Sequence, residues 1–239
     1  MHRFEKLQKT IGITFGKKKL LEMAFVHKSY VNESSDPNLK HNERLEFLGD
    51  AVLELIVTEY LYAHYDEPEG ELTNWRSALV NGERLAEIAK ELDLGAYLYL
   101  SHGEKKSGGD KKNYILANTF EALLGAIYLD QGYECSRDFV KKYVIGYLEE
   151  IIEKGLHRDA KSYFQEMAQE KLGITPEYRV LSQSGPDHRK MFTMAAFLKE
   201  EHVGTGTGFS KQNAEQSAAE DALKKKKWKS VDNEEPSPL

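Results

Sequence analysis

Apolar residues recur at helical spacing along almost all of residues 3–152. A repeat of three to four positions places apolar side chains on one face of a helix, so it predicts amphipathic helices around a core. Glycine and proline separate the segments, and no strand-like alternation is present between them. The predicted helices cover residues 4–11, 20–30, 43–65, 75–92, 114–130 and 135–152.

The second half has a different pattern. A helix over residues 160–172 precedes three strand-like runs rich in Tyr, Val, Phe and Thr. These runs cover residues 177–182, 190–198 and 202–206, and a turn at 184–187 links the first two. Ser210 is a typical N-cap for a last helix over residues 211–228. The expected order is α-β-β-β-α.

The two halves also differ in charge. Residues 1–155 contain 20 Lys+Arg and 26 Asp+Glu, whereas residues 156–230 contain 13 and 10. An acidic module joined to a mildly basic one indicates two domains with different roles. We expect domains over residues 1–153 and 160–229, a linker over 154–159 and a disordered acidic tail over 230–239.

Three carboxylates share one face of the predicted helix 43–65. Glu43, Glu46 and Asp50 are spaced i, i+3 and i+7, which at about 100° per residue places them within an arc of about 60°. The apolar residues expected on the opposite side are Leu45, Leu48, Val52, Leu55 and Ile56. Three like charges so close together repel one another unless a cation lies among them.

Asn118 and Glu121 interrupt the otherwise apolar helix 114–130. An unpaired buried charge costs several kcal/mol, so such side chains usually have a partner. If this helix packs beside helix 43–65, oxygens of Glu46, Asp50, Asn118 and Glu121 converge, and such a donor set suits Mg²⁺, with Mn²⁺ as a substitute, rather than zinc. Spacing alone favours the simpler interpretation that these are polar faces of amphipathic helices.

Two segments of the chain resemble a known protein family, and this resemblance favours the metal site over the simpler interpretation. The run Asn42-Glu43-Arg44-Leu45-Glu46-Phe47-Leu48-Gly49-Asp50 resembles the defining segment of the ribonuclease III family, and residues 120–130 resemble the second catalytic helix of that family. The similarity extends over nearly the whole chain, including residues 27–30 and 103–109. It implies a multi-domain α and α+β fold, in which an all-helical ribonuclease III endonuclease domain precedes a small α-β-β-β-α double-stranded RNA-binding domain.

The resemblance also implies roles for individual acids. Glu46, Asp50 and Glu121 match metal-binding acids of the family, and Asp50 and Glu121 match catalytic ones. Glu43 and Glu69 match acids of the catalytic valley that are associated with the dimer and its substrate. Asn118 stands where the family usually has Asp. Its amide oxygen can still coordinate a cation, but one negative charge is lost, so we expect weaker Mg²⁺ affinity or slower cleavage.

The activity implied is divalent-metal-dependent cleavage of double-stranded RNA by a homodimer, each subunit of which cuts one strand. The products would carry 5′-phosphate and 3′-hydroxyl ends with short 3′ overhangs, in ribosomal RNA and other transcript processing. A rival interpretation, motivated by Asn118, is an RNA-binding protein of the same fold that cleaves poorly. A small-molecule hydrolase fits less well, because the RNA-binding module would then have no purpose.

The second half resembles a double-stranded RNA-binding domain through residues 185–190 and 210–219. Such domains contact two successive minor grooves and the phosphates between them over about 16 base pairs. By resemblance, His188 enters one minor groove and Lys211 meets phosphates at a helix N-terminus. Gln212 replaces a residue that is often basic. The first-helix residues expected to face the other minor groove are Ser162, Gln165, Glu166 and Gln169.

Two lysine-rich stretches have open interpretations. The lysines 105, 106, 111 and 112, just before the Asn118 helix, either contact RNA or lie in a solvated loop. The lysine run 224–227 is read as a solvated helix end. The single cysteine, Cys135, excludes an intrachain disulfide, and no apolar run approaches the ~20 residues of a membrane span. We therefore expect a cytoplasmic protein with no membrane attachment and no small-molecule cofactor.

Overall fold

The computed structural model of the chain describes residues 2–153, 160–186 and 190–228. The chain divides into two compact units, Met1–His157 and Arg158–Leu239. The expected linker, 154–159, and the expected acidic tail, 230–239, lie outside the described residues. The domain boundaries given above therefore stay predictions.

The first unit is built from helices, as the apolar repeat predicts. Its helices pack around one apolar core, to which nearly all of them contribute. Short 3₁₀ turns at His2–Phe4, Leu94–Tyr97, Gly109–Lys111 and Ile145–Tyr147 connect them. The α-helices are α1 (Glu5–Ile11), α2 (Lys18–Ala24), α3 (Lys28–Glu33), α4 (Glu43–His64), α5 (Glu69–Val80), α6 (Gly82–Glu91), α7 (His102–Lys106), α8 (Asn113–Gln131), α9 (Tyr133–Tyr143) and α10 (Leu148–Glu153).

A backbone bridge splits the helix predicted over residues 20–30. Val26 and Tyr99 form a parallel bridge between α2 and α3 on one side and the segment before α7 on the other. The His27 amide donates to the Tyr99 carbonyl at 3.1 Å, and the Tyr99 amide donates to the Phe25 carbonyl at 2.8 Å. The apolar repeat continues through the break because Phe25 and Val26 remain buried, so periodicity alone did not reveal it.

Two further predicted helices are also divided. The segment 75–92 breaks at Asn81, whose side chain caps α6 by accepting a hydrogen bond from the Arg84 amide at 2.9 Å. The segment 135–152 becomes α9, a 3₁₀ turn and α10. In both cases buried residues on either side of the break face the same core, so the spacing of apolar residues was nearly unchanged.

Helices α4 and α8 approach so closely that glycine is required at their crossing. A Cβ atom on Gly49 would lie 1.8 Å from the carbonyl oxygen of Glu121, and one on Gly125 would lie 2.2 Å from that of Leu45. Real Cβ atoms do not come this near to backbone. The crossing therefore depends on both glycines, and it places the Glu46–Asp50 turn against the Asn118–Glu121 turn.

The acidic face of α4 does not point away from the core, and that part of the prediction is wrong. Leu53 and Val57 follow Asp50 by three and seven positions, so they share its face, and both are fully buried. Leu55, expected in the core, is 58% exposed. The reason is that α4 uses the side facing α8 for packing, so the acids lie at the edge of its buried face rather than opposite to it.

The second unit has the predicted α-β-β-β-α order. It consists of α11 (Ala160–Leu172), β1 (Glu177–Ser184), β2 (Met191–Leu198), β3 (Glu201–Gly208) and α12 (Lys211–Lys226). The strands form an antiparallel sheet in the order β1-β2-β3. Phe164 of α11 and a row of alanines of α12 pack with β2 and β3 in a second core. This arrangement leaves one face of α11 and the start of α12 exposed.

Candidate functional site

The α4–α8 crossing brings the four predicted metal-site residues together. Glu46 and Asp50 lie on α4, and Asn118 and Glu121 lie on α8. The charges of Asp50 and Glu46 both act on the Glu121 carboxyl, and the Asn118 side chain is hydrogen-bonded to Glu46. Asp50 is exposed and the other three are half-buried. The sequence thus predicted which residues meet.

Glu121 carries the strongest electrostatic signature of the site. Burial among the apolar residues of α8 disfavours its charged form, and the negative charges of Asp50 and Glu46 disfavour it further, which raises its pKa to about 7. The pKa of Glu46 is raised as well, first by burial and then by Glu43 and Asp50. Negative charge is therefore concentrated at this crossing without an equal positive charge from the chain.

Asn118 acts on the site as a hydrogen-bond donor. Its hydrogen bond lowers the pKa of Glu46, in opposition to burial, so it stabilises the charged carboxylate. Only the amide N–H can do this, because a carboxylate accepts and does not donate. The amide oxygen of Asn118 is left as its second polar atom. The residue therefore favours the charged form of Glu46 without adding to the negative charge.

The donor chemistry of this set fits a hard divalent cation. Three carboxylates and one amide offer only oxygens as ligands, the preference of Mg²⁺ and Mn²⁺. Among residues 2–153, 160–186 and 190–228, no three His, Cys, Asp or Glu side chains form a ready-made metal cage. Convergence on one ion therefore requires side-chain rotation, which the exposure of Asp50 and the partial exposure of Glu46 permit.

Glu43 lies beside this set, and its neighbours are a lysine and a histidine. One of its carboxylate oxygens is 3.3 Å from Lys28 Nζ, and the other is 3.5 Å from His41 Nδ1. Sequence reasoning did not assign a role to Lys28 or His41. The sequence pointed to Lys28 only through the segment 27–30. That segment belongs to the family resemblance, but it contains no acid and so did not suggest a part in the metal site.

Glu69 is placed apart from the Glu46 group. It is the first residue of α5, and its carboxylate accepts a hydrogen bond from the Thr73 hydroxyl at 3.1 Å. It lines a groove of about 640 Å³ between α4 and α5 together with Tyr62 and Arg76. Within one chain, therefore, Glu69 does not join the four residues at the α4–α8 crossing.

The candidate RNA-binding residues of the second unit are exposed where they are described. Ser162, Gln165, Glu166 and Gln169 lie on the exposed side of α11, and the last three line a shallow groove of about 580 Å³. Lys211 and Gln212 are exposed at the start of α12, which Ser210 caps by accepting from the Asn213 amide at 3.1 Å. The predicted contact His188 lies outside the described residues.

The lysine-rich stretches divide into paired and exposed members. Lys112 Nζ lies 2.6 Å from a Glu104 carboxylate oxygen, whereas residues 105, 106 and 111 are exposed. On α12, Lys225 pairs with Asp221 at 2.6 Å and Lys226 with Glu201 at 2.7 Å. Most of the cations in these stretches thus remain accessible to a polyanion, while three are held by acids of the chain.

Comparison with known proteins gives matches in both units. The family model described as Ribonuclease-III-like matches residues 17–148, and the Double-stranded RNA binding motif matches residues 160–226. The chain is 44% identical to Ribonuclease 3 of a Nitratiruptor species over 225 residues, which cover 94% of this chain and 97% of the relative. Ribonuclease 3 of Pelotomaculum thermopropionicum is 45% identical over 220 residues, 92% of this chain and 91% of the relative.

Solved structures agree with this result for the first unit. The nuclease domain of ribonuclease III from Campylobacter jejuni matches with a TM-score of 0.54 and 40% identity, covering 59% of this chain and 94% of that chain. A second structure of that nuclease domain gives a TM-score of 0.54 at 38% identity, covering 63% of this chain and 96% of that chain. Within the described residues, no helix combines the length and apolar character that spanning a bilayer requires.

Proposed function

This chain belongs to the ribonuclease III family and is an endoribonuclease that acts on double-stranded RNA, and we propose that it uses Mg²⁺ to leave 5′-phosphate and 3′-hydroxyl ends with short 3′ overhangs. The observation that supports the metal requirement is the meeting of Glu46, Asp50, Asn118 and Glu121 at the α4–α8 crossing. The proposed substrates are precursors of ribosomal RNA and other structured transcripts in the cytoplasm.

The metal would be held by Glu46, Asp50 and Glu121, with the Asn118 amide oxygen as a fourth neutral donor. When bound, such an ion supplies a water of lowered pKa and stabilises charge that develops on the phosphoryl group. Among the chain's own residues, Asn118 favours the charged form of Glu46 through a hydrogen bond, which lowers the pKa of that ligand. Glu121 is the residue with the most to gain from a cation, since burial and then the charges of Asp50 and Glu46 raise its pKa to about 7.

The test of this mechanism is cleavage of a long RNA duplex in Mg²⁺ by the unmodified chain and by two variants. Glu121→Gln removes a metal ligand at constant size, so it should abolish cleavage and leave duplex binding in place. Glu22→Gln, an equivalent change at an exposed position of α2, should cleave normally. If Glu121→Gln cleaves as fast as Glu22→Gln, the assignment of the site is wrong.

A second candidate function is a duplex-binding protein of the same fold with impaired cleavage. Asn118 supports it, because this amide donates to Glu46 and contributes no charge to a cation. The two candidates separate in a Mg²⁺ and Mn²⁺ titration of the unmodified chain and Asn118→Asp. Faster cleavage by Asn118→Asp at low Mg²⁺ supports an impaired site, and equal rates contradict it. If neither protein cleaves at any metal concentration while both bind duplex, the proposed metal mechanism fails.

We also propose that the nuclease unit forms a homodimer through an exposed apolar stripe on α4. Phe47, Leu55 and Tyr62 fall within an arc of about 80° on this helix and are 80%, 58% and 82% exposed. Large apolar side chains exposed along one helix face typically mark an interface. The first Campylobacter jejuni structure shows flexibility in a region involved in dimer formation of that nuclease domain. A second subunit would bring Glu69 toward the catalytic valley.

The homodimer is tested by the mass of the chain in solution. Phe47→Glu places a charge in the stripe and should convert the dimer to a monomer in light scattering after gel filtration. Phe209→Glu is the control, since Phe209 is 66% exposed but belongs to the second unit. An unmodified chain that is monomeric at micromolar concentration would contradict the proposal.

A further inference from the structure

A lysine shares a small cleft with two of the four metal-site residues, and the proposed metal chemistry gives it no role. The cleft has a volume of about 40 Å³ and lies between the start of α4, the start of α8 and the His27–Lys28 turn. Its lining residues are His27, Lys28, Asn42, Glu43, Glu46, Tyr114, Ile115 and Asn118. Lys28 thus lies within the region where a phosphate would approach Glu46 and Asn118.

The present partner of Lys28 holds it only weakly. Lys28 and Glu43 are 3.3 Å apart, and their side chains are 61% and 47% exposed. An exposed pair of this kind is worth at most about 1 kcal/mol, because water screens it. His41 Nδ1 stays 3.5 Å from the second oxygen of Glu43, so Glu43 keeps a polar neighbour if Lys28 turns away. Release of Lys28 therefore costs little free energy.

The backbone that carries Lys28 is held firmly. The Ser29 amide donates to His27 Nδ1 at 3.2 Å, and the Ser101 amide donates to the Ser29 hydroxyl at 3.1 Å. The Asn42 amide donates to the Val26 carbonyl at 2.9 Å. Rotation of the Lys28 side chain is thus the only movement that a change of partner requires.

We infer that Lys28 leaves Glu43 on RNA binding and contacts a backbone phosphate next to the one held at the metal site. This inference rests on the proposed function, since only a duplex engaged at Glu46 and Asp50 brings phosphates within reach of the lysine. An acidic cleft repels a polyanion, and one ammonium group at its edge offsets part of that repulsion while releasing a counterion. Lys28 is a binding and positioning residue, and the acids carry the chemistry.

The experiment measures the salt dependence of duplex binding by the full chain. All proteins carry Glu121→Gln, which prevents cleavage in Mg²⁺. If Lys28→Met removes one phosphate contact, the negative slope of log K against log salt should become less steep by roughly one. The substitution should also weaken duplex binding roughly fivefold, which is the change in affinity expected for the loss of one exposed charge pair. Lys9→Met, at an exposed position of α1, should change neither quantity, and Lys28→Arg should retain both because it keeps the charge.

Glu43 supplies an independent arm of the test. If Glu43 competes with RNA for Lys28, Glu43→Gln raises duplex affinity, and Lys28→Met then costs more in that background than in the parent. An unchanged salt slope in a folded Lys28→Met protein overturns the inference. Failure of the proposed function would be distinct, because the chain without Glu121→Gln would then leave duplex intact at every Mg²⁺ and Mn²⁺ concentration.

Discussion

The side-chain amide of Asn118 donates a hydrogen bond to the Glu46 carboxylate, and this links α8 to α4 at the point where the acids meet. An ionised Asp at position 118 could not make this bond, since both groups would only accept. The amide therefore replaces a repulsive pair with an attractive one. The amide thus favours an ionised Glu46 and gives up one charge that would attract a cation.

Asn118→Asp should consequently lower the stability of the chain without metal and increase the stabilisation that metal provides. In EDTA the variant loses a donor and gains a fourth carboxylate, so we expect it to be about 1–2 kcal/mol less stable than the parent. Mg²⁺ should stabilise the variant more than the parent, because ligand binding to the folded state adds to its stability. Thermal unfolding in EDTA and over a Mg²⁺ series measures both effects. Asn74→Asp, at an exposed position of α5, is the control.

The raised pKa of Glu121 predicts that the first unit loses stability as pH increases. The pKa in the folded state is about 7, above the ordinary value of 4.5, so between these values the folded state binds more protons than the unfolded state. The contribution of Glu121 to stability is therefore fully present below about pH 4.5 and is lost as the pH rises through about 7. Glu121→Gln should remove this dependence, so its advantage over the parent should grow from about pH 5 to about pH 8.

Denaturant unfolding in EDTA at a series of pH values measures that difference. The expected gain for Glu121→Gln at the alkaline end is about 1–3 kcal/mol, because the conversion of about 1.4 kcal/mol per pKa unit is an upper limit for a carboxyl that water partly reaches. Glu22→Gln, at an exposed position of α2, serves as the reference for removal of an exposed charge. A constant difference between Glu121→Gln and the parent across the range would contradict the burial and charge repulsion assigned to Glu121.

Gly49→Ala should destabilise the nuclease unit although it adds only one methyl group. The added Cβ would lie 1.8 Å from the Glu121 carbonyl oxygen, so α4 and α8 must separate. Overpacking of this kind costs about 1–3 kcal/mol, and cleavage should fall because the acids separate with the helices. Gly103→Ala in α7 meets no atom within 4 Å and should be neutral or slightly stabilising. Equal unfolding midpoints for the two variants would refute the close crossing.

Lys211→Ala should weaken duplex binding at all sequences, because the contact that we expect for this lysine, at the start of α12, is with phosphates rather than bases. Gln212→Lys should strengthen it and increase the salt slope by roughly one. Lys224→Ala, at an exposed position near the other end of the same helix, is the matched comparison. Binding isotherms at several salt concentrations distinguish these outcomes, and an equal effect of Lys211→Ala and Lys224→Ala would argue against a specific role for the N-terminus of α12.

The fold class and the proximity of the four predicted metal-site residues could be predicted from the sequence, because the helical spacing was supported by the resemblance of two motifs to a known family. The breaks at Val26 and Asn81 could not be predicted in the same way. Each break leaves neighbouring apolar residues buried, and a period of 3.6 residues does not register a change of helix axis.

The orientation of α4 was also beyond the sequence. The apolar pattern of this helix continues onto two sides, and only the glycine contacts with α8 decide that Leu53 is buried while Leu55 is exposed. The proposed role of Lys28 could not be predicted from the sequence for a related reason. A single lysine carries no periodicity, and its position near Glu43 depends on how the chain returns from α3 to α4.

The bridge between Val26 and Tyr99 bears on the speed of RNA capture. It ties the turn before α3 to the segment before α7, so the backbone around His27 is already ordered in the free protein. A loop that became ordered only on binding would reduce the affinity by the entropy lost and would slow productive encounters. Here the bridge orders this backbone on folding, so RNA that binds at Lys28 as inferred would require only side-chain rearrangement at this turn.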